Sequence, residues 1–209
     1  MTSVANRRSV MVLYSDSVSP IGHAVRIVLA EKDINVDINY VTGEDLPEEI
    51  VEINPYNSVL TLIDRELVLY DAQIIMEYLD ERFPHPPLMP VDPVARAGNR
   101  QIRYRVIRDL YSSTEDLNSD NEITIANAKK NIRDHLTAVS VAFAQKPYFM
   151  SDEYSLVDCC MAPLLWRLEY FGIKLPASAK PLQQYAGRLF EREAFKLSLS
   201  AQERELRAA

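Results

Sequence analysis

The first half of this chain is organised around residues 54–62, Asn-Pro-Tyr-Asn-Ser-Val-Leu-Thr-Leu, where a turn-forming run leads into a short apolar strand. That strand begins at Leu60 and is followed by a turn at Asp64-Arg65. A second apolar run over Leu67–Tyr70 comes next. Two apolar runs separated by a short polar turn predict a β-hairpin.

Strands and helices alternate on both sides of this hairpin. Ser19 and Pro20 predict a helix start, because serine caps helices and proline suits their first position. Apolar residues that alternate with polar ones over 36–40 predict a half-exposed strand. Strands are predicted over 9–14 and 36–40, and helices over 20–32, 46–53 and 74–83. With the hairpin included, the order is β-α-β-α-β-β-α, which is that of a thioredoxin-like domain.

The second half of the chain shows helical periodicity and no convincing strand. Helices are predicted over about 93–117, 125–143, 155–166 and from Pro181 onward. The polar tail after Ala201 is expected to fray. The fold class is therefore α/β + all-α. We predict a thioredoxin-like N-terminal domain over 1–83, a proline-rich linker loop over 84–92, and an all-helical C-terminal domain over 93–209.

Composition excludes several classes of function. The net charge of −7 argues against a protein that grips nucleic acid by its phosphates. No apolar run approaches the roughly 20 residues of a membrane span, and Met1–Arg8 lacks the apolar stretch of a secretion signal. Cys159 and Cys160 are neighbours that form neither a cross-link nor a metal site, and His23 and His135 lack a second ligand. We expect a reducing, cytoplasmic location, no metal and no cofactor.

Several motifs carry a resemblance to a known family. Residues 75–90, Ile-Met-Glu-Tyr-Leu-Asp-Glu-Arg-Phe-Pro-His-Pro-Pro-Leu-Met-Pro, closely resemble the signature of the stringent starvation protein A family, a branch of the glutathione-transferase superfamily. Residues 25–32, 94–96 and 155–160 fit the same family, so the resemblance covers nearly the whole chain. It implies the glutathione-transferase fold and a homodimer. It also implies a partner of bacterial RNA polymerase that alters transcription during stress and stationary phase, without known transferase activity.

The resemblance makes Leu60 informative. In the related transferases a cis proline stands at this position and holds a backbone edge open for the cysteinyl part of glutathione. A cis bond before a non-proline residue costs roughly 2.5–4 kcal/mol, against about 0.5–1 before proline, so Leu60 removes the low-energy route to that edge. An acid–serine pair normally holds the γ-glutamyl end of glutathione. Here the pair is Asp71-Ala72, which lacks the hydroxyl.

Catalysis would also need a hydroxyl or thiol near the end of the first strand. The hydroxyls in range belong to Tyr14, Ser15, Ser17 and Ser19, which equally suit loop and capping roles. We therefore expect no enzyme and no catalytic residue. A glutathione-dependent transferase or peroxidase is the alternative. The vestigial glutathione-site positions are Ser17, Val59, Leu60, Asp71 and Ala72.

The proline-dense run over 83–90 is the predicted recognition element. Each proline fixes its own φ and restrains the residue before it, so little loop entropy remains to be lost on binding. His85 is expected to point outward beside apolar Phe83, Leu88 and Met89. The simpler interpretation is a stiff interdomain linker. The resemblance implies instead that the run contacts the principal sigma factor of RNA polymerase holoenzyme. The predicted partner-binding residues are Pro84, His85, Pro86, Phe83, Pro87 and, on the hairpin turn, Arg65.

A basic stripe follows the loop, with Arg96, Arg100 and Arg103 at helical spacing. It could face polymerase or DNA. We favour a solvated face or salt bridges across a dimer interface, with Glu77 or Glu81 as partners. The acidic net charge disfavours strong DNA contact, and a second transcription regulator is a further candidate partner.

Overall fold

The computed structural model describes residues 10–207, which form a mixed sheet with flanking helices followed by an all-helical part. This architecture confirms the predicted fold class. The first part contains β1 (Met11–Ser15), α1 (Pro20–Glu31), β2 (Val36–Tyr40), α2 (Glu48–Ile53), β3 (Thr61–Asp64), β4 (Leu67–Leu69) and α3 (Ala72–Arg82). The sheet order is β2-β1-β3-β4, with β1 parallel to β2 and the other pairs antiparallel.

The predicted hairpin is present, although its turn lies one residue later than expected. Leu62 pairs with Leu69 and Asp64 with Leu67, which leaves Arg65 and Glu66 in the turn. Arg65 adopts a φ of +59°. Tight two-residue connections between antiparallel strands favour positive φ, which Arg65 adopts here.

Helix α1 is the central element of the molecule. The Ser19 side chain accepts from the Gly22 N–H and Pro20 is the first helical residue, as the sequence predicts. The helix is buried along residues 22–29, because it packs against α3 on one side and against α7 (Leu156–Arg167) and α9 (Glu193–Ser198) of the helical part on the other. A helix that is buried nearly all round is enclosed on several sides by other elements.

The helical part begins with a helix that changes type along its length. The long helix predicted over 93–117 consists of α4, a π-helical segment over Val106–Tyr111, and short helical segments to Asn118. The α-helices are α4 (Pro93–Arg105), α5 (Ser112–Glu115), α6 (Glu122–Val139), α7 (Leu156–Arg167), α8 (Lys180–Glu191), α9 (Glu193–Ser198) and α10 (Ala201–Glu205). The predicted capping box of α7 is formed by Ser155 and Asp158.

The prediction that the tail frays after Ala201 is wrong. Ser200 and Glu203 form a capping box that starts α10, and Glu203 is completely buried. The reason is electrostatic: Glu203 meets two buried arginines, Arg26 and Arg167, contributed by distant parts of the chain. The polar residues after Ala201 predicted exposure to solvent, whereas pairing with the two arginines offsets the cost of burying the Glu203 carboxylate.

Gly22 permits the close approach of α1 to the end of β1. A methyl group at Gly22 would lie 2.5 Å from the Ser15 Oγ, which is held by Arg26. Gly22→Ala should therefore lower the free energy of unfolding by about 1–3 kcal/mol, the usual effect of overpacking. Gly187→Ala in α8 is the control, because nothing lies within 4 Å of its added carbon. That change should raise the free energy by about 0.5–1 kcal/mol in urea denaturation. Equal effects at the two positions would contradict the steric explanation.

Candidate functional site

The hydroxyl groups after β1 are engaged within the chain. The buried Ser15 Oγ accepts from the Arg26 guanidinium at 2.7 Å. The Ser17 Oγ donates to the Gln202 side chain, and the Ser17 carbonyl accepts from the Ser200 Oγ at 2.6 Å. The start of α10 therefore lies against the loop in which a transferase would present its catalytic hydroxyl.

Tyr14 is the remaining hydroxyl candidate at the end of β1. Partial burial, followed by the nearby Glu49 carboxylate, raises the pKa of its phenol. Burial and a neighbouring negative charge both disfavour the ionised form. The phenol therefore stays in its protonated form.

The other vestigial positions lie just before β3 and at the start of α3. The single cis peptide bond within residues 10–207 joins His85 to Pro86, so the bond between Val59 and Leu60 is trans. The Asp71 carboxylate accepts from the backbone N–H groups of residues 73 and 74 at 2.9 and 3.1 Å, which makes it the N-cap of α3. Ala72 is buried beside it. One acidic group is thus committed to capping, and no hydroxyl accompanies it.

Four buried polar side chains join the two parts of the molecule beneath the loop that follows β1. Arg26 Nη2 lies 2.6 Å from the Glu203 Oε1, and Arg167 Nη2 bonds the same oxygen. Arg167 Nη1 also faces the Nδ1 of His23 at 3.2 Å. Because that guanidinium can only donate, the His23 Nδ1 accepts, and its Nε2 donates to the Ser198 Oγ at 2.9 Å. We call Arg26, Arg167, Glu203 and His23 the junction cluster.

The junction cluster holds His23 in its neutral form. Burial, then Arg167 and then Arg26, lower the pKa of His23 well below its ordinary value. Its ring is fully enclosed, and a second positive charge beside two arginines would be unfavourable. The cluster therefore acts as a structural junction between α1, α7 and α10.

A cavity of about 650 Å³ opens beside the junction, between the loop after β1 and the π-helical segment. Arg108 and Tyr111 line one wall, and Asp16 and Val18 line the other. Arg167 also reaches this cavity, but its guanidinium is committed to Glu203 and to the Val18 carbonyl. The cavity therefore gains no free buried cation from Arg167.

The proline-rich loop has an exposed tip and a buried base. Pro84, His85, Pro86 and Pro87 are exposed, and Phe83 is half-buried. The expectation that Leu88 and Met89 lie on the exposed ridge is wrong, since they are only 3% and 5% exposed. Both residues belong to the hydrophobic core, so the outer surface is shorter and less apolar than the sequence suggested.

The structure brings Arg65 close to this loop. A cleft of about 380 Å³ is lined by Arg65 of the hairpin turn together with Arg82, Phe83 and Lys32. The Arg82 guanidinium lies over the Phe83 ring, 5.4 Å from its centroid. Arg82 was not among the predicted residues, although its place in the last turn of α3 puts it beside the loop.

The base of the loop rests on a buried charge pair that the sequence analysis did not single out. Lys32 and Asp80 form an ion pair of 2.6 Å, and their side chains are 0% and 7% exposed. A signal was available for Asp80, which follows Ala72 and Met76 at intervals of four on the buried face of α3. A carboxylate on an apolar face requires a partner.

The basic stripe on α4 is paired within the chain. Arg96 contacts Glu81, and both Arg100 and Arg103 contact Glu77. The acidic partners are those that the sequence suggested, but they belong to α3 of the same chain, so the dimer-spanning interpretation is not needed. These pairs join α3 to α4 on either side of the proline-rich loop.

Both cysteines, Cys159 and Cys160, are free and buried. Burial raises the pKa of Cys160 to about 12 and raises that of Cys159 as well, so neither thiol ionises readily. No group of three potential metal ligands occurs among residues 10–207. Within the same range, every helix is too short or too polar to cross a bilayer.

Comparison with known proteins defines the class. The family model for the glutathione S-transferase N-terminal domain matches residues 13–87, and that for the C-terminal domain matches residues 122–188. A Tau class glutathione S-transferase from mango, Mangifera indica, superimposes with a TM-score of 0.82 at 21% identity, covering 95% of this chain and 96% of that one. A theta class enzyme from Xanthomonas axonopodis pv. citri, solved with glutathione bound, gives 0.81 at 22% identity, covering 90% and 96%. The chain is thus a protein of the glutathione-transferase fold.

Curated relatives define the branch. The chain is 46% identical to a stringent starvation protein A homolog of Coxiella burnetii, covering 96% of this chain and 97% of the relative. It is 47% identical to the homolog of Pasteurella multocida, covering 95% and 94%. A probable maleylacetoacetate isomerase of Caenorhabditis elegans is 32% identical, covering 78% and 81%. The chain belongs to the stringent starvation protein A family.

His23 should make stability depend on pH. Below about pH 6.5 the unfolded chain binds a proton at this ring, whereas the folded chain resists it, so stability falls as the pH falls. The loss can reach about 1.4 kcal/mol per pH unit below 6.5. His23→Gln should reduce this slope in urea denaturation between pH 7.5 and 5. The matched control is His135→Gln, which changes an exposed ring and should keep the wild-type slope. Identical slopes in all three proteins would refute the assignment.

Proposed function

We propose that this chain is a non-enzymatic transcription regulator that binds bacterial RNA polymerase holoenzyme through the tip of the proline-rich loop. The principal sigma factor is the proposed contact, and the working form is a homodimer acting in the cytoplasm during stress and stationary phase. The observation that carries the proposal is an exposed tip over residues 84–87, stiffened by three prolines, on a buried base. Membership of the stringent starvation protein A family supports it.

The physical character of the tip suits protein recognition. Pro84, Pro86 and Pro87 restrict the backbone before any partner arrives, so binding orders few additional torsions. Exposed His85 adds a polar group, while Phe83 and Arg82 add aromatic and cationic surface beside it. Aromatic and arginine side chains are frequent contributors of binding energy at protein interfaces.

Contact with polymerase would be made through protein and not through DNA. The net charge is −7, and the arginine stripe on α4 is already paired with Glu77 and Glu81. Little unpaired basic surface is therefore offered to phosphates by this helix. A second transcription regulator could join the same assembly through another face of the chain.

Absence of transferase activity is part of the proposal. The Ser17 hydroxyl is engaged by Gln202, Asp71 caps α3, and Ala72 has no hydroxyl to offer. Leu60 stands in a trans linkage at the edge where the resemblance implies a cis proline. Each feature removes one element that a glutathione site would require.

Replacing Pro84, His85 and Pro86 together by alanine should weaken binding to purified polymerase holoenzyme at least tenfold. The change removes both the exposed contact groups and the restricted backbone, and tenfold corresponds to about 1.4 kcal/mol. Titration with immobilised holoenzyme measures the dissociation constant.

The control for this test is Pro176→Ala, which changes an exposed proline in the loop before α8. This variant should bind like the wild type. If the folded triple variant retains wild-type affinity, the loop is not the contact.

The alternative function is a glutathione-dependent transferase or peroxidase. It is favoured by the match to the glutathione S-transferase family models and by serines close to the start of α1. The two functions separate on glutathione resin. The wild type should wash through the resin and should not turn over a general electrophilic substrate.

Leu60→Pro combined with Ala72→Ser should increase retention on the resin, because these changes restore the two missing elements. A hydrogen-bond donor in such a site commonly contributes about 1–3 kcal/mol. Firm retention and turnover by the wild type would establish the enzymatic alternative.

A further inference from the structure

Lys32 lies at the end of α1, directly beneath the proline-rich loop. Its Nζ donates to the Asp80 Oδ1 at 2.6 Å, to the Phe83 carbonyl at 2.7 Å and to the Pro86 carbonyl. An ammonium group has three donors, so all three are used. Two of them hold backbone carbonyls within the recognition loop, and the side chain has no exposed surface.

Asp80 extends this anchor to the far side of the loop. Its Oδ1 also accepts from the Leu88 N–H at 2.8 Å. The Leu88 carbonyl in turn accepts from the Leu156 N–H, at 2.9 Å, at the start of α7. The loop is therefore fixed at residues 83, 86 and 88, with one buried charge pair serving all three positions.

The tip has few backbone donors of its own. Three of the four tip residues, Pro84, Pro86 and Pro87, have no backbone N–H, so His85 has the only backbone donor among residues 84–87. The carbonyls of the loop therefore need donors from elsewhere in the chain. Lys32 supplies them from a side chain that has no exposed surface.

We propose that the Lys32–Asp80 pair positions the proline-rich loop, so that affinity for the polymerase depends on two side chains outside the contact surface. This inference rests on the proposed function of the loop. Lys32 and Asp80 are positioning residues: they act through the carbonyls of Phe83 and Pro86 and the N–H of Leu88.

The neighbouring residue on α1 provides a matched control. Glu31 is also a largely buried member of an ion pair, since its carboxylate accepts from Arg192 at 2.6 and 2.7 Å. That pair joins α1 to the junction of α8 and α9 and does not contact the loop. Glu31→Gln therefore disturbs a comparable interaction, one residue away, without releasing the loop carbonyls.

The experiment compares Lys32→Met, Lys32→Arg, Glu31→Gln and the wild type as full-length proteins. Lys32→Met should weaken binding to purified RNA polymerase holoenzyme at least tenfold and accelerate amide hydrogen exchange at Leu88, whose N–H donates to Asp80. Lys32→Arg keeps a charged donor and should recover part of the affinity. Glu31→Gln should bind within about twofold of the wild type, even where its melting temperature falls as far as that of Lys32→Met.

Each outcome has a distinct meaning. If Lys32→Met is folded and binds like the wild type, while the triple alanine variant of the loop does not, the positioning role is refuted and the proposed function stands. If the wild type itself fails to bind polymerase, the proposed function fails, and hydrogen exchange at Leu88 still decides whether the pair positions the loop. If Lys32→Met does not fold, Asp80→Asn replaces it, and unchanged exchange at Leu88 in that variant overturns the inference.

Discussion

One buried carboxylate, that of Glu203, determines how the two parts of this molecule meet. It is shared by Arg26 of the first part and Arg167 of the second, and none of the three side chains retains appreciable exposure. Removing such charges from water is costly, and only close pairing offsets the cost. The pairing draws α10 back across the chain to the loop after β1. There Gln202 engages the Ser17 hydroxyl, one of the four hydroxyls that the sequence offered as candidates for catalysis.

Helix α1 contributes buried polar side chains to contacts toward both of its ends. Arg26 and His23 serve the junction with α7 and α10, while Lys32 anchors the proline-rich loop at the other end. Twelve residues of helix span about 18 Å, so this one helix holds the loop after β1 and the proline-rich loop at a fixed separation. The inward-facing polar side chains of α1 therefore stabilise both the junction cluster and the base of the proline-rich loop.

Local signals in the sequence predicted the secondary-structure elements, whereas pairs between residues far apart in the sequence were not predicted. The Ser19 cap, the hairpin and the Ser155–Asp158 capping box depend on neighbouring residues and could be predicted. The burial of Glu203 depends on Arg26, 177 residues away, and Lys32 meets Asp80 across 48 residues. The arginine stripe shows an intermediate case. Its acidic partners could be named, but a sequence does not distinguish a partner in the same chain from one in a second copy.

The same pairings leave the proline-rich tip as the stiff surface most available for recognition. Arg96, Arg100 and Arg103 of α4 are paired with carboxylates of α3, and the apolar residues Leu88 and Met89 are withdrawn into the core. What remains outward at this end is a tip of prolines with His85 among them and Arg82 beside them. A partner that binds such a tip does not have to order it, so its affinity depends on how well the tip is held before contact. Buried residues can then set the strength of an interaction in which they take no direct part.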